Sequence, residues 1–338
     1  MVWQGVPEIV CRDATPTEIG TLHGSLAKAR IHRAIENYTS LYQETADLTW
    51  SEALERASKY VEPLEANVPD LVEEMRAIAV AAEVDFLDIL ALNHWTADKE
   101  DTVFLAQNWD WVGETAEATV FMDIQPQGKP RMQMFGEAGL VGKFGFNDKG
   151  LGVCMNAIRA GVVDSTKLPV HLAIRKVLEC SSFEEALASI NERGLASCIT
   201  FTVADSTGAM ASVECSPRGN VPIQPDHEGT VCHTNHLYAP AQTARVKDHP
   251  SANSFSRLTR MQELSKGTAP SFKSIRSRMS DEEGTPVSIC RSRPPGAKGM
   301  EKMETLSTMI MDLKKGKAEL SLGRPSLSPE IRILTMDS

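Results

Sequence analysis

The order of helical and β-type segments constrains the fold of this chain more than any other feature. Apolar residues at helical spacing predict helices near 15–44, 50–62, 69–81, 85–93, 170–193 and 254–280. Short β-type runs, separated by Gly, Pro, Asn and Asp, are predicted over 102–157, Cys198–Asn235 and a hairpin at Glu304–Leu322. Because helices and strands occur in separate blocks, we expect an α+β fold with antiparallel strands, not the strict βαβ alternation of a parallel sheet.

Length and composition exclude several classes of protein. The 338 residues are 42% hydrophobic and 24% charged, enough for one large α+β domain or two modest ones. A net charge of −10, with only short basic stretches, argues against nucleic-acid binding. No window has the length and apolar character of a membrane span, and Glu8, Arg12 and Asp13 interrupt any signal-peptide core. Seven scattered cysteines fit a reducing compartment, so we expect a cytoplasmic protein.

Three short motifs have both a structural and a chemical interpretation. For Gly136–Gly142 we expect turns between strands, because the spacing is not that of a dinucleotide-binding loop and no helix signal follows. The histidines of His233–His236 could bind a metal but lack a companion motif, whereas Asn235 could donate its amide hydrogens to an oxyanion. Cys290 is either a thiol activated by Arg291 or a small buried strand residue, and Arg291 is either a substrate clamp or an ion-pair partner.

Nine ordered segments carry a resemblance to a known family. They are Thr17–Gly24, Ala91–Asn93, Gln107–Trp111, Glu137–Asn147, Leu168–His171, His233–His236, Asn253–Arg257, Ser288–Arg291 and Leu322–Pro325. In this order they resemble the fungal acyl-coenzyme A:6-aminopenicillanate (isopenicillin N) acyltransferases and their cysteine-type N-terminal-nucleophile relatives. The resemblance extends over nearly the whole chain, and its specificity comes from the order of the segments because each alone is a weak signal.

The resemblance implies a four-layer α-β-β-α sandwich, in which two antiparallel sheets face each other and helices cover both outer faces. It implies one domain over 1–338, in which 1–100 is a mostly helical segment corresponding to the cleaved small subunit of the family and 101–338 is the sandwich core. It also implies a precursor that cuts itself before a cysteine. The new amino group of that cysteine then acts as the base for its own thiol.

The same resemblance implies four site residues in this chain. Asp110 would contact the amino group of the nucleophile, and Asn235 would donate to the tetrahedral oxyanion. Asn156 would contribute to the same pocket, and Arg291 would orient the nucleophile or the substrate electrostatically. No cofactor is implied, although acyl-coenzyme A is a possible co-substrate. The expected partners are a small-molecule acyl donor and an amine acceptor, without nucleic acid or membrane, and the oligomeric state stays open.

One part of the family pattern is missing from this sequence. The family has an arginine-bearing loop and Asp-Gly-Cys-Thr between its Leu-Asn and Gln-Asn-Trp-Asp motifs, whereas thirteen residues without Cys or Gly join Asn93 to Gln107 here. Thr102 is a poor substitute, since an extended strand would hold it about 26 Å from Asp110 at about 3.3 Å per residue. Thr96 follows a bulky tryptophan and has no neighbouring glycine. We therefore assign no nucleophile.

The cysteines do not fill this gap, because Cys154, Cys198, Cys215 and Cys290 lie inside predicted strands and cannot become a chain terminus. Three hypotheses remain. The chain is an isoform or mis-spliced gene model of an active enzyme, a catalytically dead relative that binds small molecules or regulates, or a protein with the same fold and unrelated chemistry. In the family the nucleophilic cysteine opens a strand that pairs with the one ending at Gln-Asn-Trp-Asp, so the resemblance implies that a central strand is missing here as well. Such a loss is hard to reconcile with a packed core and favours the first hypothesis over selected design.

Overall fold

The computed structural model describes residues 2–3, 6–7, 9–46, 48–93 and 102–336. The chain divides into two compact units, Met1–Asp98 and Lys99–Ser338. The assignment of 1–338 to a single domain stays a prediction. No helix in these described ranges combines the length and apolar character needed to cross a bilayer.

The first unit is mostly helical, as the sequence predicts. Its elements are the short antiparallel strands β1 (Val2–Trp3) and β2 (Val6–Pro7), followed by the helices α1 (Pro16–Ala46), α2 (Trp50–Ser58), α3 (Val61–Asn67), α4 (Pro69–Ala82) and α5 (Phe86–Asn93). A reciprocal pair of contacts between Thr15 and Glu18 starts α1, because the carboxylate accepts from Thr15 N at 2.7 Å and the hydroxyl accepts from Glu18 N. Thr49 and Glu52 start α2 with a second capping box.

Two glycines let α1 and α4 pack in close contact. A Cβ at Gly20 would lie 2.3 Å from the carbonyl oxygen of Glu74, and one at Gly24 would lie 2.5 Å from that of Ile78. Any larger residue would therefore force the two helices apart. The apolar faces that meet here include Ile31, Ile78 and other buried side chains of the unit.

The second unit contains two antiparallel sheets and further helices. Its strands are β3 (Phe104–Val112), β4 (Thr119–Ile124), β5 (Met132–Glu137), β6 (Phe144–Asn147), β7 (Leu151–Ala157), β8 (Ile199–Asp205), β9 (Met210–Ser216), β10 (Gly219–Ile223), β11 (Met303–Asp312), β12 (Lys317–Leu322) and β13 (Ile331–Thr335). Its helices are α6 (Val170–Leu178), α7 (Phe183–Arg193), α8 (Pro240–Thr243), α9 (Ala252–Ser265) and α10 (Phe272–Met279). Among the described residues, one sheet has the order β10-β9-β8-β7-β6-β5-β4 and the other β13-β12-β11-β3.

The two sheets of this unit face each other across a shared apolar core. Trp109 of β3 lies edge-on to Phe135 and Phe144 of the seven-stranded sheet, with ring centroids 5.9 and 6.1 Å away. Met309 and Met311 of β11 belong to the same buried cluster. A polar contact also joins the two sheets. The side-chain amide of Gln107 donates to the carbonyl oxygen of Met155 and accepts from the N–H of Met155, both at 2.8 Å.

Helices cover the outer face of each sheet. Ile174 and Val177 of α6 and Ile190 of α7 pack with side chains of the seven-stranded sheet such as Phe201. On the four-stranded sheet, Phe272 of α10 lies edge-on to Phe104 with centroids 5.2 Å apart. The four-layer α-β-β-α sandwich of two antiparallel sheets, expected from the sequence, is therefore confirmed for this unit.

Some predicted elements differ from the structure. The segment 230–235, predicted as the last strand of Cys198–Asn235, is an irregular loop, because its polar groups bind side chains of the scaffold. The helical stretch 254–280 is two helices, α9 and α10, and β13 is not predicted from the sequence. Cys290 lies in the irregular segment between α10 and β11, so the expectation that it sits in a strand is wrong.

Candidate active site

Strand β3 has an open edge within the second unit. It pairs with β11 in the register Phe104↔Asp312 to Val112↔Met303, and it is the last strand of its sheet in the part of the chain that the structure describes. Val103 and Leu313, the pair next to Phe104↔Asp312, are hydrogen-bonded, since Leu313 N–H donates to Val103 O at 2.9 Å. Since hydrogen bonding alternates along an antiparallel pair, the main-chain groups of Phe104, Ala106 and Asn108 point away from β11.

A cavity of about 790 Å³ lies along this open edge. Residues of β3 such as Asn108 and Asp110 form one wall, and residues of β7–β9 such as Asn156 and Thr202 form the inner side. The loop 228–234 and residues of α9 and α10 complete the enclosure. The size is that of a small-molecule pocket.

Asp110 faces this cavity and is held by a short chain of hydrogen bonds. The hydroxyl of Thr305 donates to Asp110 Oδ1 at 2.7 Å and accepts from the main-chain N–H of Arg291 at 2.9 Å. Desolvation raises the pKa of the Asp110 carboxyl, although the charges of Arg257 and Arg291 and the Thr305 hydrogen bond act in the opposite direction. The carboxylate thus lies in a poorly solvated place with two guanidinium groups nearby.

The orientation of the Asn235 amide is fixed by its neighbours. Arg257 Nη2 donates to Asn235 Oδ1 at 2.8 Å, and Asn235 Nδ2 donates to the carbonyl oxygen of Ala157 at 3.1 Å. A guanidinium can only donate, so the amide oxygen must face it and the amide nitrogen must face the other way. One amide hydrogen remains for a ligand oxygen.

A buried carboxylate supports the loop that carries Asn235. Glu214 Oε1 accepts from the main-chain N–H of Tyr238 at 2.7 Å and lies 3.1 Å from His233 Nε2. Ser254 Oγ accepts from Asn235 N at 2.8 Å and lies 2.8 Å from His236 Nδ1. The two histidines of the motif therefore hold the loop in place, and no metal-binding group is found among the described residues.

The four predicted site residues occupy related places. Asp110 and Asn156 line the cavity, Asn235 is joined to the cavity wall through Arg257, and Arg291 is joined to Asp110 through Thr305. Their roles stay predictions. The sequence alone does not identify Arg257 or Thr305 as site residues. For Arg257, its place at the end of the family-like segment Asn253–Arg257 is a signal that could have found it.

The thiols near the cavity are poor nucleophiles. Cys154 and Cys232 line it, and burial raises the thiol pKa of both, although Ser265 and Arg278 act in the opposite direction on Cys232. Cys154 lies within β7, and Cys232, which the sequence did not single out, lies in the loop 228–234. The segment 94–101, with Thr96, falls outside the described residues.

Comparison with known proteins identifies relatives of this chain. A family model described as acyl-coenzyme A:6-aminopenicillanic acid acyl-transferase matches residues 95–327. The acyl-coenzyme A:6-aminopenicillanic-acid-acyltransferase 40 kDa form of Emericella nidulans is 30% identical over 347 residues, covering 98% of this chain and 96% of that protein.

Solved structures share the fold at low sequence identity. A mutant of conjugated bile acid hydrolase from Clostridium perfringens has a TM-score of 0.53 and 13% identity, with 70% of this chain and 90% of that one covered. Penicillin V acylase from Agrobacterium tumefaciens has a TM-score of 0.49 and 15% identity, with 70% and 83% covered.

Proposed function

Because this chain belongs to the acyl-coenzyme A:6-aminopenicillanic acid acyl-transferase family, we propose that its cavity binds acylated small amines or acyl-coenzyme A thioesters. We further propose that the chain, with the sequence it has, binds these ligands without turning them over. The observation that carries the proposal is the set of Asp110 and Arg257 in one cavity wall and Asn235 bound to Arg257, with the orientation of the Asn235 amide fixed.

Each polar group has a role in binding a carbonyl compound. Asn235 Nδ2 would donate to the carbonyl oxygen, and Asn156 would contribute to the same pocket. Asp110 would accept a hydrogen bond from an amine. Arg291 and Arg257 would stabilise negative charge near Asp110, whose pKa they lower against the effect of desolvation.

The lack of turnover in the proposal comes from the sequence between Asn93 and Gln107. Those thirteen residues contain neither Cys nor Gly, so the family's self-cleavage site has no counterpart there. The open edge of β3 in the described part of the chain is consistent with the missing central strand that the resemblance implies. This favours an isoform or gene model of an active enzyme over a selected change.

The second candidate is a catalytically dead relative that serves as a binding or regulatory module. It is favoured by the loop around Asn235, because Glu214 and Ser254 fix this loop through hydrogen bonds to its main chain, and these bonds involve no nucleophile. Both candidates share the same binding cavity. In either case the proposal includes a cytoplasmic location, small-molecule partners and, from the resemblance, fungal secondary metabolism.

The first experiment tests binding and turnover in the chain itself. Calorimetry with a series of acyl-coenzyme A thioesters and N-acylated amino acids should give saturable binding, and intact-mass measurement should give one uncut 37.0 kDa species without an acyl adduct. Cys232→Ser and Cys154→Ser should bind as the parent does. Absence of binding would overturn the binding proposal, and self-cleavage or thioester turnover would overturn the claim of inactivity.

The second experiment separates the two candidates. Coding DNA with an in-frame segment for Asp-Gly-Cys-Thr between Trp95 and Thr102 would support the gene-model hypothesis. A chain with that segment and its strand restored should cut itself before the new cysteine, whereas the same chain with alanine in place of that cysteine should stay whole. A natural transcript without the segment, together with an insertion chain that folds but stays uncut, would favour the binding module.

A further inference from the structure

Two arginines in the cavity wall make no close contact with a carboxylate among the described residues. Arg257 of α9 and Arg278 of α10 both line the cavity, and neither forms an ion pair in the described part of the chain. Arg257 donates to the amide oxygens of Asn235 and Asn253. A guanidinium group that is partly removed from water and lacks a counterion is costly unless a ligand supplies the negative charge.

Other arginines of the same helices are paired. Arg260 of α9 lies 2.8 Å from a carboxylate oxygen of Asp281, and Arg276 of α10 forms an ion pair with Glu319. Neither Arg260 nor Arg276 lines the cavity. Within each helix, therefore, the arginine that lines the cavity is the one without an ion pair, and Arg278 also lacks the nearby carboxylate charge that Asp110 supplies to Arg257.

Arg278 has the clearest free binding capacity of the two. Its Nη1 donates to Ser265 Oγ at 3.3 Å and its Nη2 to the carbonyl oxygen of Thr268 at 3.1 Å, so the guanidinium is held in position by neutral acceptors. Its Nε is buried without a hydrogen-bond partner among the described residues, so the second hydrogens of Nη1 and Nη2 are the donors that remain for an anion. Burial lowers the pKa of Arg278, whereas the neighbouring Cys232 raises it.

The carboxylates of the cavity wall are engaged elsewhere. Asp110 accepts from Thr305 and interacts electrostatically with Arg257 and Arg291. Glu228 accepts from the main-chain N–H of Gly267 at 2.9 Å and is not paired with Arg278. Neither side chain neutralises the guanidinium of Arg278.

We propose that Arg278 binds an anionic group of the ligand, a carboxylate or a phosphate, at the part of the cavity wall where Ser265 and Thr268 hold its guanidinium. The identity of the rest of the ligand rests on the proposed function, whereas the anion site itself does not. Arg278 is a binding residue in this proposal and takes no part in bond making or breaking. A planar guanidinium with a fixed orientation suits either oxyanion.

The experiment uses the full chain, three variants and matched ligand pairs. Arg278→Met removes the charge and keeps the apolar stem, Arg278→Lys restores a charge, and Arg276→Met is the matched control on the same helix. An N-acylated amino acid is compared with its primary amide to test a carboxylate. An acyl-coenzyme A is compared with the same acyl pantetheine to test phosphates.

The parent chain should bind the anionic member of one pair at least about tenfold more tightly than its neutral partner, as expected for a charge-assisted hydrogen bond. Arg278→Met should abolish the preference while neutral ligands bind as before, Arg278→Lys should recover part of it, and Arg276→Met should keep it. Equal binding of both members by the parent, or a preference that survives in Arg278→Met, would overturn the proposal.

A measurement with inorganic phosphate separates this site from the proposed function. At constant ionic strength, phosphate should raise the melting temperature of the parent and of Arg276→Met but not that of Arg278→Met. If acyl ligands fail to bind and this difference persists, the proposed function falls and the anion site stands. If phosphate stabilises Arg278→Met as much as the parent, the anion site falls.

Discussion

The inner face of the seven-stranded sheet has a closed half and an open half. Over β5 and β6 it is sealed by the four-stranded sheet, where Phe135 and Phe144 meet Trp109. Over β8 and β9, beyond the edge of β3, the inward side chains include the polar Thr202 and Glu214, and the cavity and the loop 228–239 take the place of a second sheet. The strands of one sheet thus provide an apolar core at one end and a polar binding wall at the other.

Because the two halves differ in this way, a substitution should have different effects on stability and on ligand binding in each. In the closed half the contacts are apolar and fully buried, so a lost side chain leaves a void. In the open half the inward polar groups are hydrogen-bonded to the loop, so a lost side chain leaves unpaired partners or a changed cavity. Four substitutions distinguish the two halves.

Phe144→Ala should have the largest effect, because it removes a fully buried ring from the closed half. We expect a loss of about 4 kcal/mol in the free energy of unfolding, measured by urea denaturation. The control Val141→Ala, at a side chain that is 45% exposed, should change that free energy by less than about 0.5 kcal/mol. Ligand affinity of the folded Phe144→Ala fraction should be unchanged, and a selective loss of affinity would break the distinction.

Glu214→Ala should lower both the stability of the chain and its affinity for ligands. It leaves the N–H of Tyr238 and the ring nitrogen of His233 without their buried acceptor. We expect a loss of about 3 kcal/mol in stability, together with weaker ligand binding because the loop that carries Asn235 is released. Glu214→Gln should retain part of both, since its amide oxygen can still accept. Unchanged ligand binding in a destabilised Glu214→Ala chain would show that the loop does not depend on this carboxylate.

Asn235→Ala should lower ligand binding more than stability. The amide hydrogen that is not donated to Ala157 is lost as a donor to the ligand, so we expect ligand affinity to fall about tenfold, or about 1.4 kcal/mol. Calorimetry measures the affinity, and thermal unfolding serves as the control. The control Asn253→Ala removes the other amide that accepts from Arg257 and should leave the affinity nearly unchanged. If the two variants lose affinity equally, the effect belongs to Arg257 and not to the Asn235 amide.

Asp110→Asn should have the smallest effect, and one that depends on pH. The folded state raises the pKa of this carboxyl above its ordinary value of 3.8, so ionisation of Asp110 costs stability. That cost is absent below the ordinary pKa and is complete above the raised one. The variant should therefore gain stability relative to the parent as pH rises through this range, measured by unfolding at several pH values. A difference that does not change with pH would contradict the raised pKa.

The sequence predicted the layers of the fold because their signals are local. Helical spacing ahead of residue 94, short β-type runs after 102 and a capping pattern at Thr15 can each be recognised within a few residues. The loop 230–235 was wrongly predicted as a strand, because its hydrogen-bond partners are side chains such as Glu214 that lie far away in sequence. β13 was missed because a short edge strand after a proline-rich turn carries little periodicity.

The candidate site was predictable only where a motif resembled the family. Asp110, Asn156, Asn235 and Arg291 were assigned in this way. Thr305 and Arg278 carry no local signal, because a hydroxyl between two other groups and an arginine without a counterion are recognised only from tertiary neighbours.

The two hydrogen bonds between the Gln107 side chain and the main chain of Met155 affect the free-energy cost of ligand binding. A shift of β3 by one residue in its register with β11 would break both bonds and turn Gln107 out of the sandwich. The width of the cavity between these strands is thus set before any ligand arrives. Free and occupied forms should have the same spacing at this wall, so association loses little free energy to reorganisation there.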